Sequence, residues 1–175
     1  MKTRITQSCR SLVVAALLAI GLLASETAAH AVELNPGDVV ITGTYNNYTY
    51  VDKLNADGTY TNIVTERYRW LDPTIAIDPE GKILIAGSYN NYTYVDKIDP
   101  GTGTWSTISS GQRYRWGNPS IAVEDSGDII IAGDYNNYTY VDRMNPNDGS
   151  YTTIKGRQRY RWIGTDLAID STGDI

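Results

Sequence analysis

Beyond residue 31 the chain alternates short apolar, β-branched and aromatic runs with turn residues, and no stretch carries the 3.6-residue apolar period of a helix. Between Thr74 and Pro119 four runs of strand length follow one another. Thr74 to Asp78 ends at Pro79-Glu80-Gly81, Lys82 to Ser88 at Asn90-Asn91, and Tyr92 to Asp99 at Pro100-Gly101-Thr102-Gly103; Thr104 to Ser109 runs into a Gly-rich loop. The same order recurs along the chain. Tyr-Asn-Asn-Tyr-Thr-Tyr-Val-Asp begins at Tyr45, Tyr89 and Tyr135, and Arg-Tyr-Arg-Trp begins at Arg67, Arg113 and Arg159, so copies lie 44 or 46 residues apart. Ile75-Ala76-Ile77-Asp78, Ile121-Ala122-Val123-Glu124 and Leu167-Ala168-Ile169-Asp170 mark the same period. Four antiparallel strands per period of about 46 residues predict an all-β chain of β-propeller blades, about three repeats of them.

The repeats are unevenly divided between the ends. Residues 38–64 supply the second to fourth strands of a blade, 74–110 and 120–155 are repeats, and 166–175 begins another and stops at Gly173-Asp174-Ile175. Three blades fall below the usual range of about four to eight. Two expectations follow. Either the sequence is a piece of a longer reading frame, the preferred reading because it stops inside a strand, or chains assemble as homo-oligomers, for instance as a six-bladed dimer.

The first 31 residues are of another kind. Lys2, Arg4 and Arg10 precede an apolar run from Ser11 to Ala24, and Ala29-His30-Ala31 places small residues at a signal-peptidase site. The run is shorter than the roughly 20 residues a membrane span needs. Residues 1–31 are therefore expected to be a secretory signal peptide cleaved after Ala31, leaving 32–175 secreted or periplasmic without a membrane anchor. Removing the leader leaves 12 basic against 19 acidic side chains, and takes away Cys9 and His30, the one cysteine and the one histidine. Thiolate and imidazole metal sites, disulfides and Ser-His or Cys-His nucleophiles are excluded from 32–175. No cofactor is expected.

Within the repeat, the run from Ile75 to Gly87, then Asn90-Asn91-Tyr92 and Val95-Asp96, resembles the NHL-type propeller repeat of many exported bacterial proteins. The resemblance extends over residues 36–175. It implies the propeller architecture and says little about activity, since propellers host unrelated functions. Gly43, Gly87 and Gly133 stand where Asp is common in that pattern, and a Tyr follows each Asn pair where Arg is common.

Strand order puts the Tyr-Asn-Asn-Tyr turns and the Arg-Tyr-Arg-Trp loops on one end of the blades, here called the upper end. With seven of the eight arginines and three of the four tryptophans of 32–175, that end is expected to be basic and aromatic. Aromatic rings stack on sugars, Asn both donates and accepts, and Arg forks onto anions. The candidate ligand-binding set is Tyr45, Asn46, Tyr48, Arg67, Arg69 and Trp70 in the first copy. Its counterparts are Tyr89, Asn90, Tyr92, Arg113, Arg115 and Trp116, then Tyr135, Asn136, Tyr138, Arg159, Arg161 and Trp162. Structural roles compete with this reading: the Asn pairs suit tight turns, the Trp side chains and Tyr50, Tyr94 and Tyr140 suit packing between blades, and the arginines suit ion pairs with Asp52, Asp96 and Asp142. The expected function is non-catalytic, multivalent, lectin-like recognition of a glycan or anionic surface polymer. A protein-binding scaffold is the second reading. A lactonase or lyase is the third, and it would need carboxylates converging near the central channel. Nucleic acid is not expected as a partner of an exported acidic chain.

Overall fold

A computed structural model of the chain describes residues 32–113, 115–159 and 164–169, with Arg113 described in its backbone alone. The predicted leader, Arg161, Trp162, the side chain of Arg113 and residues 170–175 lie outside the described residues. The described residues form eleven strands and no helix. The first sheet joins β1 (Val39–Tyr45), β2 (Tyr48–Leu54) and β3 (Tyr60–Arg67). The second joins β4 (Leu71–Ile77), β5 (Ile83–Tyr89), β6 (Tyr92–Ile98) and β7 (Trp105–Arg113). The third joins β8 (Gly117–Val123), β9 (Ile129–Tyr135), β10 (Tyr138–Met144) and β11 (Tyr151–Arg159). Every pairing is antiparallel between strands consecutive in sequence. These are propeller blades, set side by side in an arc.

Burial explains the sequence of the second strand in each full blade. Side chains of a strand alternate between faces, and in β5 both faces are covered: Ile83 and Ile85 pack with Val51, Val64 and Trp70 between the first and second sheets. Leu84 and Ala86 pack with Trp116, Ile121, Ile129 and Ile131 between the second and third. A strand buried on both sides reads as a continuous apolar run. Each fully buried Ile or Leu contributes about 1.5–3 kcal/mol, so the blades are held chiefly by their neighbours.

The β5–β6 hairpin turns at Asn90 and Asn91, with φ of 52° and 64°. Asn46-Asn47 and Asn136-Asn137 have the same pair of left-handed conformations, as a two-residue type I′ turn demands. Asn tolerates this backbone better than most L-residues. The turns set Tyr45 opposite Tyr48, Tyr89 opposite Tyr92, and Tyr135 opposite Tyr138.

Gly87 and Gly133 have a separate cause. A Cβ on Gly87 would lie 2.6 Å from Trp70 Cα, and one on Gly133 would lie 2.6 Å from Trp116 Cα. The backbone entering β4 and β8 crosses these glycines in contact, which is why Gly stands where the resembling repeat commonly has Asp.

Candidate functional site

The Arg-Tyr-Arg-Trp loop divides its side chains between the inside and the outside of the array. Tyr68 takes φ of 59° and donates its N–H to the Asn47 carbonyl at 3.0 Å, turning the chain from β3 toward β4. Arg69 and Trp70 are thereby directed inward. Trp70 is fully buried and donates Nε1–H to Asp96 Oδ2. Arg69 holds the same carboxylate with Nε at 2.7 Å and Nη2 at 2.8 Å, and Nη2 also donates to Thr107 Oγ1 at 2.8 Å. The guanidinium lies over the Trp105 ring at 4.0 Å and the Tyr94 ring at 4.8 Å. Hydrogen bonding to Asp96 raises the Arg69 pKa above its ordinary value, against the opposing effect of partial burial. Thr49, in the preceding blade, donates its hydroxyl to the Trp70 carbonyl.

The next repeat reproduces this arrangement. Arg115 Nε and Nη2 each reach Asp142 at 2.7 Å, Nη2 reaches Thr153 at 2.8 Å, and Trp116 Nε1 reaches Asp142 at 2.7 Å. Thr93 caps the Trp116 carbonyl at 2.6 Å. Each unit staples one blade to the one before it. The expectation that Trp70 and Trp116 offer ring faces to a ligand is therefore corrected, since both indoles are fully buried. Arg69 and Arg115 are likewise committed to bidentate pairs with buried Asp96 and Asp142. The second Arg and the Trp of the motif are thus packing residues in both described copies.

What stays at the surface is the hairpin and, in the first and third copies, the first Arg. Arg67 is opposite Tyr48 in the ladder, Arg113 opposite Tyr92, and Arg159 opposite Tyr138. The Arg67 guanidinium lies 4.5 Å from the Tyr68 ring centroid and 5.4 Å from that of Tyr48, and donates to the Tyr68 hydroxyl at 2.9 Å. Tyr68 in turn packs on Tyr89 of the next blade with centroids 5.5 Å apart. The structure so brings Tyr45, Asn46, Tyr48 and Arg67 together on the first blade. Tyr89, Asn90 and Tyr92, and then Tyr135, Asn136, Tyr138 and Arg159, occupy matching places on the next two.

A cleft of about 270 Å³ opens on the upper end where the second and third blades meet, lined by Leu71, Asp72, Ser88, Tyr89, Asn118 and Tyr135 among others. Asp72 and Asn118 have φ of 49° and 45°, an unfavourable backbone that clusters at functional sites. Ser88 Oγ is buried there without a hydrogen-bond partner among the described residues, as is Asp134 Oδ1 at the corresponding place in the third blade. An unsatisfied buried polar atom costs about 1–3 kcal/mol, which a polar ligand or water would relieve. Sequence reasoning did not single out Tyr68, Asp72, Ser88 or Asn118. Tyr68 carried a signal, being identical in all three copies of its motif; Asp72 and Asn118 share only a following proline.

No protein-family model matches the chain, and no curated protein does. Among solved structures the array is similar to TolB from Acinetobacter baumannii, with TM-score 0.56 and 13% identity over 78% of this chain and 33% of that one. It is similar also to an engineered GH43 glycoside hydrolase with endo-xylanase and exo-arabinofuranosidase activity, at TM-score 0.47 and 17% identity over 69% of this chain and 27% of that one. A third is regucalcin, a calcium-binding protein from Agrobacterium tumefaciens, at TM-score 0.39 and 16% identity over 67% of this chain and 45% of that one. The chain spans about a third of the length of the TolB structure. At this identity the likeness establishes the fold, a β-propeller, and nothing of its activity.

Proposed function

We propose that the chain is an exported β-propeller binding module of NHL type that recognises carbohydrate or an anionic surface polymer through its upper end and performs no chemistry of its own. The observation that carries this reading is the cleft between the second and third blades. It combines the Tyr89 and Tyr135 side chains, the Asn90 and Asn91 amides, and a buried Ser88 hydroxyl with no partner among the described residues. Flat rings beside amides and hydroxyls suit a sugar, which offers apolar faces and a rim of hydroxyl groups. The volume is close to the lower limit of about 300 Å³ for small-molecule pockets and suits one or a few units of a polymer. Three Tyr-Asn-Asn-Tyr hairpins on successive blades supply the repetition from which avidity arises. Export rests on the leader sequence, and binding rather than catalysis on the carboxylates. Asp96 and Asp142, expected as ion-pair partners of the arginines, are engaged in the staples between blades.

The test is a glycan array followed by calorimetry, comparing wild type with Tyr89→Ala and Asn118→Ala, all three shown by circular dichroism to be folded. Binding to a defined glycan class, weakened at least about tenfold in both variants, is the expected result. A folded wild type that binds no glycan, or variants that bind as wild type does, would overturn the reading.

A further inference from the structure

The third blade carries an arginine on a backbone that suits glycine. Opposite Tyr94, β7 holds one extra residue: Thr93 pairs with Gln112 and Val95 with Ser109, which sets Ser110 and Gly111 against a single tyrosine. β11 repeats this bulge opposite Tyr140, where Thr139 pairs with Gln158 and Val141 with Lys155, and Gly156 and Arg157 lie between. Gly111 takes the left-handed conformation there, with φ of 76°. The residue in its place in the third blade is Arg157, with φ of 54°. The β-carbon makes that conformation unfavourable for an L-residue, and glycine escapes the penalty. The first blade has no bulge at this point, since Thr65 pairs directly with Tyr50.

Nothing in the fold compensates for this choice. Arg69 and Arg115 are held by Asp96 and Asp142, Arg143 by Glu124, and Arg67 rests on Tyr48 and Tyr68. Arg157 is exposed and has no hydrogen bond, ion pair or ring contact among the described residues. With Tyr135, Asn136, Tyr138 and Tyr140 it lines a cleft of about 260 Å³. Tyr138 and Tyr140 are two apart in β10 and so share a face, and Tyr135 is the cross-strand neighbour of Tyr138. That face looks toward the second blade, because Tyr140 packs on the core between the second and third blades. The cleft therefore adjoins the one between those blades, and Tyr135 lines both. Bulges re-aim side chains beside functional sites, and unfavourable backbone conformations gather at such sites as well.

We propose that Arg157 is an anion subsite and that the upper end selects acidic polysaccharides, the guanidinium holding the carboxylate or sulfate of a sugar whose ring lies against Tyr135. This rests on the carbohydrate reading above and narrows it to one ligand class. A guanidinium presents parallel N–H donors that match the paired oxygens of a carboxylate or sulfate. Arg157 is the one charged residue among those lining its cleft, so no neighbouring carboxylate there competes for it. The charged residue lining the adjoining cleft is Asp72. An acidic group is repelled at that end and attracted at the other, which orients the polymer across Tyr135. The position is Thr65 in the first blade and Gly111 in the second, so the subsite belongs to the third blade alone among the described ones, while the tyrosine hairpins repeat.

The experiment is calorimetry on the full chain, expressed with its leader, and on its Arg157→Gly variant. Two matched pairs of probes separate the sources of the anion: oligogalacturonate against its methyl ester for carboxylate, and a sulfated galactan oligomer against its desulfated form for sulfate. Arg157→Gly gives the third blade the residue that the second has at the same backbone conformation, so it leaves the bulge intact. The expected result is a wild type that binds the acidic member of at least one pair at least about tenfold more tightly than the neutral member, a preference that Arg157→Gly reduces to within about twofold. The variant should melt no lower than wild type, because it relieves an unfavourable backbone. A wild type that binds acidic and neutral probes alike would overturn the inference and leave the carbohydrate reading standing. A variant that keeps the preference would overturn it too, as would one that melts below wild type, since the arginine would then serve the fold. A folded wild type that binds no glycan of either kind would defeat both readings.

Discussion

Replacing Asp96 with alanine tests the staple between the first two blades. In the wild type the carboxylate is fully buried and accepts from Arg69 Nε, Arg69 Nη2 and Trp70 Nε1. Alanine leaves a guanidinium and an indole N–H without that acceptor. Removing one partner of a buried ion pair costs about 3–5 kcal/mol. The Arg69 side chain is 21% exposed, so water can reach part of the guanidinium, and its retained bond to Thr107 Oγ1 offsets some of the loss. A cost of about 2–4 kcal/mol is therefore expected. Asp142→Ala should cost a similar amount, since its distances repeat those of Asp96 within about 0.2 Å. Asp52→Ala should cost under about 1 kcal/mol, because it removes one hydrogen bond from Asn62. The assay is urea unfolding followed by tryptophan fluorescence, with differences taken from midpoints at constant slope. An Asp96→Ala protein within 1 kcal/mol of wild type, or no worse than Asp52→Ala, would refute the claim that the staple holds the blades.

Other perturbations reach different parts of the same construction. Gly87→Ala and Gly133→Ala each drive a methyl group into a Trp backbone at 2.6 Å, and thermal unfolding should show losses of about 1–3 kcal/mol or more. Asn91→Ala places an ordinary residue at φ of 64° and should cost about 1–2 kcal/mol, while Asn91→Gly should come close to wild type in the same denaturation experiment. The carboxyls of Asp38, Asp57, Asp99 and Asp148 are held below 3.8 by hydrogen bonds from Lys53, Thr59, Lys82 and Ser150 respectively. Depressed values stabilise the fold above that pH and lose the contribution as pH falls through them. Lys97 is raised above 10.5 by its hydrogen bond to Asp78, so its contribution is full below 10.5 and lost as pH climbs past the raised value. With no histidine or cysteine in 32–175, melting temperatures should be flat from about pH 5 to 9 and fall by pH 3; a step near pH 6.5 would contradict this.

The architecture was legible because period and turn chemistry are local properties. Asn90-Asn91 announces a hairpin whatever surrounds it, and the doubly buried Ile83-Leu84-Ile85-Ala86 can be read as a central strand. The fate of Arg69 and Trp70 was not legible from their own neighbourhood. It depends on Asp96, 27 residues away from Arg69, and on the left-handed Tyr68 that directs the chain inward. An Arg and a Trp beside a surface loop have the composition of a ligand site, and only the register of β6 against the start of β4 reveals the carboxylate that claims them. Gly87 and Gly133 held the missing information. Glycines in strand interiors, without turn duty, indicate that another backbone passes close by.

That division also explains why the motif copies are identical while the strands around them have drifted. In Tyr45 to Asp52 the Asn pair forms the turn, Thr49 caps the Trp70 carbonyl, and Val51 is buried in the core between blades. Tyr50 matches Tyr94, which lies under Arg69, and Asp52 matches the staple carboxylates. Packing thus accounts for most of the motif. It does not account for Tyr45, which is 70% exposed, or for the identity of Arg67, whose guanidinium rests on the outer faces of Tyr48 and Tyr68. Tyr45 and Arg67 are thus exposed side chains that packing between blades does not use. Substitutions at Trp70 or Trp116 would disturb ligand binding only by loosening the blades, whereas Tyr45→Ala or Arg67→Ala removes side chains that the core does not use. A ligand of the upper end is therefore to be sought with that outer row of tyrosines and first arginines, and the buried tryptophans serve as the stability control.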